Sequence, residues 1–165
     1  MEALKVRHWV EHFVLKHNLC PFAHKPFKDN QIEYTVLDST EQMDVLIHLI
    51  NTCQHLQTSP VPQTVLLILK QGFEDFDVYL ELVDMAEELL IIENLSCEFQ
   101  LASFHPEYRF EGTAHSDPAN LTNRSPFPIV HILRCADVEQ ALKQHRDTLD
   151  IPKRNIELLR SLFGS

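Results

Sequence analysis

The feature that most constrains this chain is the run Val65-Leu66-Leu67-Ile68-Leu69, in which no polar residue interrupts the apolar side chains. A strand with one wet face alternates apolar and polar residues, whereas an unbroken apolar run of strand length is expected where both faces are covered. The chain must therefore place layers on either side of a sheet, with Val65 to Leu69 as its central strand. Ser59-Pro60-Val61-Pro62 and Gly72 bound the run, as breaker residues do.

The flanking patterns supply those layers. Val6, Trp9, Val10, Phe13 and Val14 recur at helical spacing and predict a first helix from about Leu4 to His17. It should stop near Asn18, because Pro21 lacks a backbone donor and pushes Cys20 out of the helical region. A loop through His24, Pro26 and Asp29 leads to a strand at Ile32 to Leu37. Ser39-Thr40-Glu41-Gln42 reads as a capping box ahead of a helix whose Met43, Leu46, Ile47, Ile50 and Cys53 share one face. A third helix is expected from Asp75 to Ile92, with Phe76, Leu80, Val83 and Leu90 directed inward. Strands follow at Glu98 to Phe104 and at Ile129 to Leu133. Asp137-Val138-Glu139-Gln140 is another cap-like start, with Ala141 and Leu142 facing the core. Pro152 opens a last helix whose Ile156, Leu159 and Phe163 pack before Gly164 ends it.

The strand-helix-strand-helix-strand order implies right-handed parallel crossovers. The expected fold is a single α/β domain over residues 1–165, a mixed sheet of four or more strands flanked by helices, with a ferredoxin-like α+β sheet as the alternative. A chain of 165 residues, 44% of them hydrophobic, buries a core without staples.

Composition removes several function classes. With 14 Lys+Arg against 24 Asp+Glu, the net charge is −10, and no basic run offsets it. Duplex nucleic acid and anionic membrane surfaces are repelled by such a surface, although a few arginines can still form a local positive pocket. No segment reaches the roughly 18 apolar residues that a bilayer crossing needs. The first residues, Met1 to His8, alternate charged and apolar groups instead of forming a signal-peptide core, so a cytoplasmic protein is expected. The triplets Asn120-Leu121-Thr122 and Asn123-Arg124-Ser125 then read as polar turns rather than glycosylation acceptors. Cys20, Cys53, Cys97 and Cys135 contain no C-x-x-C pair and are expected as free thiols. Only Gly72, Gly112 and Gly164 are present, too few for a P-loop or a G-x-G-x-x-G turn. His8 and His12 stand one helical turn apart, but on the face opposite the apolar stripe. They read as solvated residues; His105 and His115 with Asp117 and Glu111 are irregularly spaced for a metal set, so no metal residues are assigned, and the sequence does not identify a cofactor.

Chemically competent residues concentrate between His105 and Phe127. Connections in compact domains usually span about four to six residues, so one this long is commonly functional. Tyr108, Phe110, Leu121 and Phe127 anchor it, and Pro106, Pro118 and Pro126 restrict it. Four blocks carry a family resemblance: Asn18-Leu19-Cys20-Pro21-Phe22-Ala23, Gln100 to Thr113, Thr122-Asn123-Arg124-Ser125-Pro126-Phe127-Pro128, and Ile151-Pro152-Lys153-Arg154-Asn155. The chain resembles the bacterial family known as domain of unknown function 1415. That resemblance covers nearly the whole chain and implies no catalytic residues.

The residues themselves support two functional readings. In the first, the chain is a small-molecule enzyme with an anion-binding pocket formed by the 105–127 segment. His105 at a strand end is the acid or base, and Cys20 is the optional nucleophile. Arg124, with Asn123, Ser125 and Arg109, holds the anionic group. In the second, the same loop belongs to a noncatalytic metabolite-binding or protein-interaction module. Each residue also has a structural reading: His105 as a tie for the Pro106 turn, Arg124 and Arg109 as braces to Asp117 or Glu111, and Cys20 as a packed turn residue. Convergence of Cys20, His105 and Arg124 on one cavity favours the enzyme, and dispersal onto local backbone favours the module.

Overall fold

A computed structural model describes residues 1–144 and 150–164. The apolar run becomes β2 (Thr64–Leu69), every residue of which is buried. It lies inside a four-stranded sheet ordered β1-β2-β4-β3, where β1 is Ile32–Leu37, β3 is Phe99–Phe104 and β4 is Ile129–Arg134. β1 pairs with β2 in parallel, and β4 runs antiparallel to both β2 and β3. β2 and β3 therefore point the same way, as the crossover argument requires, but β4 is inserted between them. The sheet is mixed. Helices follow β1 and β2 in succession, so the order is not the βαββαβ of a ferredoxin-like sheet.

The alternation of side chains along β2 explains the two-sided covering. Val65, Leu67 and Leu69 pack with Val130 and Ile132 against α3 (Gln42–Thr58) and α4 (Phe76–Ile92). Leu66, Ile68 and Ile129 face the other way, toward Val6 and Val10 of the N-terminal helix. That helix is α1 (Glu2–Trp9) continued by a π-helical segment, Val10–Leu15. Asn18, with φ 50°, leaves the helical region soon after, and α2 (His24–Lys28) occupies what reads in the sequence as loop. Beyond β4 come α5 (Cys135–Gln144) and α6 (Ile151–Phe163), with Pro152 in the first turn of α6.

Several local expectations are corrected. The Ser39–Gln42 box does not cap α3: Glu41 is the N-cap without a side-chain bond, while the Ser39 hydroxyl accepts from Glu41 N–H and donates to Asp44. The buried face of α3 is Val45, Leu46, Leu49, Ile50, Cys53 and Leu56, leaving Met43 and Ile47 outside. In α4 the deepest residues are Tyr79 and Leu82, with Phe76 and Leu80 only partly covered. α5 starts at Cys135 directly after β4; Val138 is its buried residue, and Leu142 is exposed. In α6 Leu159 and Asn155 are buried, while Phe163 is exposed. Gly72 has φ 87°, and a Cβ there would lie 2.9 Å from the Thr40 backbone, so this turn requires glycine.

Candidate functional site

The long segment from His105 to Phe127 is built from turns closed on themselves. Asp117 caps the 3-10 turn Pro118–Thr122 by accepting from Ala119 N–H, and both its carboxylate oxygens receive the Arg160 guanidinium of α6, at 3.0 and 2.6 Å. This pairing holds the Asp117 carboxyl down to about 2. The fully buried Asn120 accepts from Phe110 N–H and Thr113 Oγ1, each at 2.9 Å, and donates to Ala114 O.

The expected binding residues are consumed by the same construction. Arg124 donates from Nε to Tyr108 O at 3.0 Å and from Nη2 to His115 O at 2.7 Å. The brace is real, but its partners are loop carbonyls rather than Asp117 or Glu111. Asn123 donates to Ser103 O at 2.9 Å and its own carbonyl receives His105 N–H. Ser125 donates to Phe127 O. Arg109 is exposed and has no side-chain partner among the described residues.

His105 is almost fully buried. Its Nε2 lies 2.9 Å from Phe73 O, which only a protonated nitrogen can donate to, and its Nδ1 accepts from Glu107 N–H at 3.0 Å. Both ring nitrogens are occupied, and the ring packs between Phe76 and Tyr79. Burial pushes its pKa down, against the Phe73 carbonyl. A histidine held as this neutral tautomer ties Pro106 and the α4 approach together and has no nitrogen left for proton transfer.

Cys20 lies elsewhere. It lines an apolar cavity of about 50 Å³ on the opposite face of the sheet, between the N-terminal helix, the Cys20–Pro26 turn, and β2 and β4. None of residues 105–127 lines it. Trp9, Val10 and Val14 form its roof, Leu66, Phe104 and Leu133 its floor, and Val138 of α5 closes one side. Phe22, Pro26, Gln63, Arg134 and Asp137 also line an adjoining groove of about 460 Å³, so cavity and groove share a wall. By the criterion of convergence, Cys20, His105 and Arg124 do not meet.

The cavity brings together polar groups that sequence reasoning did not single out. His131 projects from β4 on this face because Leu66, its register partner, does so too. Its Nε2 is 2.7 Å from Thr64 Oγ1, whose own proton goes to Ile132 O at 2.6 Å. Nε2 must then be the donor, and Nδ1 keeps a free lone pair. Desolvation pushes His131 down to about 4, so the ring is neutral at pH 7. Burial likewise pushes the Cys20 thiol up, against the Phe22 and Ala23 amides that favour a thiolate. No opposite charge acts on either group, so they do not form a thiolate–imidazolium pair. Trp9 Nε1 and Gln63 Oε1 are buried with no hydrogen-bond partner among the described residues. Arg134 on the shared wall is spent on the carbonyls of Leu56, Ser59 and Pro62, at 2.7, 2.7 and 3.3 Å, where it neutralises the C-terminal end of α3. Nothing in a single sequence marks a strand histidine and a glutamine far upstream as neighbours; only the β2–β4 pairing does so.

A mixed sheet with helices on both faces and a small apolar cavity roofed by its N-terminal helix defines an α/β domain with a pocket on one face of the sheet. The chain belongs to the family described as protein of unknown function (DUF1415), whose family model matches residues 2–164. No curated protein and no solved structure matches it. Among the described residues no group of three or more His, Cys, Asp or Glu side chains is placed to hold a metal ion, and no helix is long and apolar enough to cross a membrane.

Proposed function

We propose that this chain is a noncatalytic small-molecule-binding module whose ligand places an apolar end in the cavity beneath the N-terminal helix and extends into the adjoining groove. The observation that carries this reading is the shared lining: Phe22, Pro26, Gln63, Arg134 and Asp137 border both an apolar chamber and a larger, more polar groove beside it. Ligand sites commonly combine mostly hydrophobic walls with a few convergent polar groups. The enzyme reading with an anion pocket at 105–127 loses support, because His105, Arg124, Asn123 and Ser125 all spend side-chain groups on backbone carbonyls, those of Phe73, Tyr108, Ser103 and Phe127. The free thiols and acidic surface fit a cytoplasmic protein of bacterial type that does not engage nucleic acid.

Trp9 is the only tryptophan, so its fluorescence reports the chamber directly. A metabolite panel screened by thermal shift and Trp9 fluorescence should yield a compound that raises the melting temperature. Mass action gives about 2.7 kcal/mol at a concentration of about 100 times Kd. Ala23→Leu, which fills the chamber wall, should abolish that rise while the variant remains folded. A compound that stabilises Ala23→Leu and the parent protein equally binds elsewhere and removes the cavity from the proposal.

A further inference from the structure

We infer that the groove between α3 and α4, on the sheet face opposite the cavity, docks a basic amphipathic helix of a partner protein. The groove measures about 450 Å³ and is lined by Met43 and Leu46 of α3, by Phe73, and by Val78 and Met85 of α4. Its banks are apolar and uncovered: Met43 is 65% exposed, Ile47 one turn further along α3 is 51% exposed, and Val78 is 38% exposed. Val78, Met85 and Ile92 recur every two turns of α4, and Ile92 is 69% exposed, so one apolar line runs down the helix beside the groove. A partner helix that lays its apolar face into a groove uses anchors of the same periodicity. The two methionines suit such a contact, because an unbranched thioether chain repacks around differing side chains.

Charge complementarity decides the occupant. Neither α3 nor α4 contains Lys or Arg, and of the 14 such residues in the chain only Lys70 lies between Asn30 and Tyr108. Lys70 is itself held 2.8 Å from Asp38. Glu81 and Glu88 fall between Val78, Met85 and Ile92 on the same side of α4, and Glu41 lines the groove at the start of α3. No ion pair among the described residues uses a carboxylate of α4. An apolar line edged by carboxylates without cations is complemented by a helix whose apolar stripe is edged by Lys and Arg. A second copy seated through the same face is disfavoured, because a two-fold contact presents one patch twice and sets these carboxylates against each other.

The chain has three methionines, Met1, Met43 and Met85, so methionine methyl resonances of the intact protein read the groove at two positions and a distant site at the third. The probes are synthetic peptides of about 18 residues, long enough to run the length of α4: Leu and Lys at helical spacing, the same composition scrambled, and Leu and Glu at helical spacing. The amphipathic Leu/Lys peptide should shift Met43 and Met85 saturably, leave Met1 in place, and bind at least about tenfold more tightly than either of the others. Glu81→Lys with Glu88→Lys should lower that affinity about tenfold or more, whereas Glu11→Lys with Glu157→Lys, an equal change of net charge on the other face, should leave it nearly unchanged. Ile47→Gln, at an exposed position, should lower it about tenfold through lost apolar contact. Equal binding of the scrambled peptide, or equal losses from the two charge reversals, shows attraction to net charge alone and overturns the inference. Equal binding of the Leu/Glu peptide overturns the charge argument and with it the stated partner. Met43 and Met85 shifts that depend on protein concentration without peptide, with a dimer in sedimentation, assign the groove to a second copy and overturn it as well.

Discussion

Arg124 keeps its place in the structure through two bonds from one planar fork, Nε to Tyr108 O and Nη2 to His115 O. A lysine at this position keeps the charge but cannot span both carbonyls. Arg124→Lys is therefore expected to lower stability by about 1–3 kcal/mol, measured by urea unfolding, and to leave binding by the folded protein unchanged. An unchanged stability would make Arg124 a ligand-contacting residue again. His131 gives the second residue-scale expectation. Its folded value of about 4 lies below the ordinary 6.5, so between these values the unfolded chain takes up a proton that the folded chain refuses. The His131 contribution is fully present above pH ~6.5 and is lost as pH falls toward ~4, amounting to at most about 3 kcal/mol. His105, also pushed down by burial, acts in the same direction. In unfolding experiments at pH 7 and pH 4.5, His131→Leu should show a shallower loss than the parent protein, and an equal loss assigns the acid sensitivity to other groups.

At the scale of elements, α4 is fastened to the sheet by one side chain that sequence periodicity does not flag. Tyr79 is fully buried, donates to Ile129 O at 2.6 Å and accepts from Phe104 N–H at 3.0 Å, so its hydroxyl bridges the ends of β4 and β3. Desolvation holds this phenol far above its ordinary range. Tyr79→Phe keeps the ring but strands a carbonyl and an amide, and should cost about 1–3 kcal/mol by urea unfolding. A cost near zero means that the β3–β4 ends are closed by other bonds. α4 itself begins where Asp75, the expected start of this helix, accepts from Asp77 and Val78 N–H as its N-cap. The Ser39 signal before α3 fails because that hydroxyl is instead engaged with Glu41 and Asp44, outside the helix boundary. The N-terminal helix does more than pack on the sheet. It roofs the cavity with Trp9, Val10 and Val14, and its π-helical turn falls there, as such turns often do near functional sites.

At the scale of the whole molecule, the sheet joins the apolar clusters on its two faces, because alternate residues of β2 belong to each. Loss of one cluster removes the support of the other, and a single unfolding transition is expected by fluorescence and circular dichroism alike. Ile68, with no exposed surface, faces the N-terminal helix from the centre of this sheet. Ile68→Ala should lower unfolding free energy by about 2–5 kcal/mol without separating the two transitions. A small change, or a fluorescence transition of Trp9 that precedes the loss of secondary structure, indicates that the N-terminal layer unfolds independently.

What the sequence determined by itself was whatever depends on near neighbours. The breaker-bounded run at Val65–Leu69 dictated a strand covered on both faces, the 3.6-residue spacing placed the main helices, and the proline and asparagine positions set where they stop. Individual facing was less secure: Met43, Ile47 and Phe163 fit an apolar stripe yet lie exposed, since a stripe wider than its partner surface leaves a margin uncovered. Tertiary structure alone decided the position of β4 and hence the site. Inserting β4 between β2 and β3 sets His131 beside Leu66, and the return of the N-terminal helix over that face closes Trp9, Cys20 and Gln63 around the same cavity. The polar segment from His105 to Phe127, conspicuous by composition, proved to spend its hydrogen bonds on itself, on the backbone of Phe73 and Ser103 and on Arg160. The residue types in a segment do not say which of their groups are already satisfied; Trp9, Tyr34 and Gln63, each with a buried polar atom left unpartnered among the described residues, are ordinary in sequence and become distinctive only through burial.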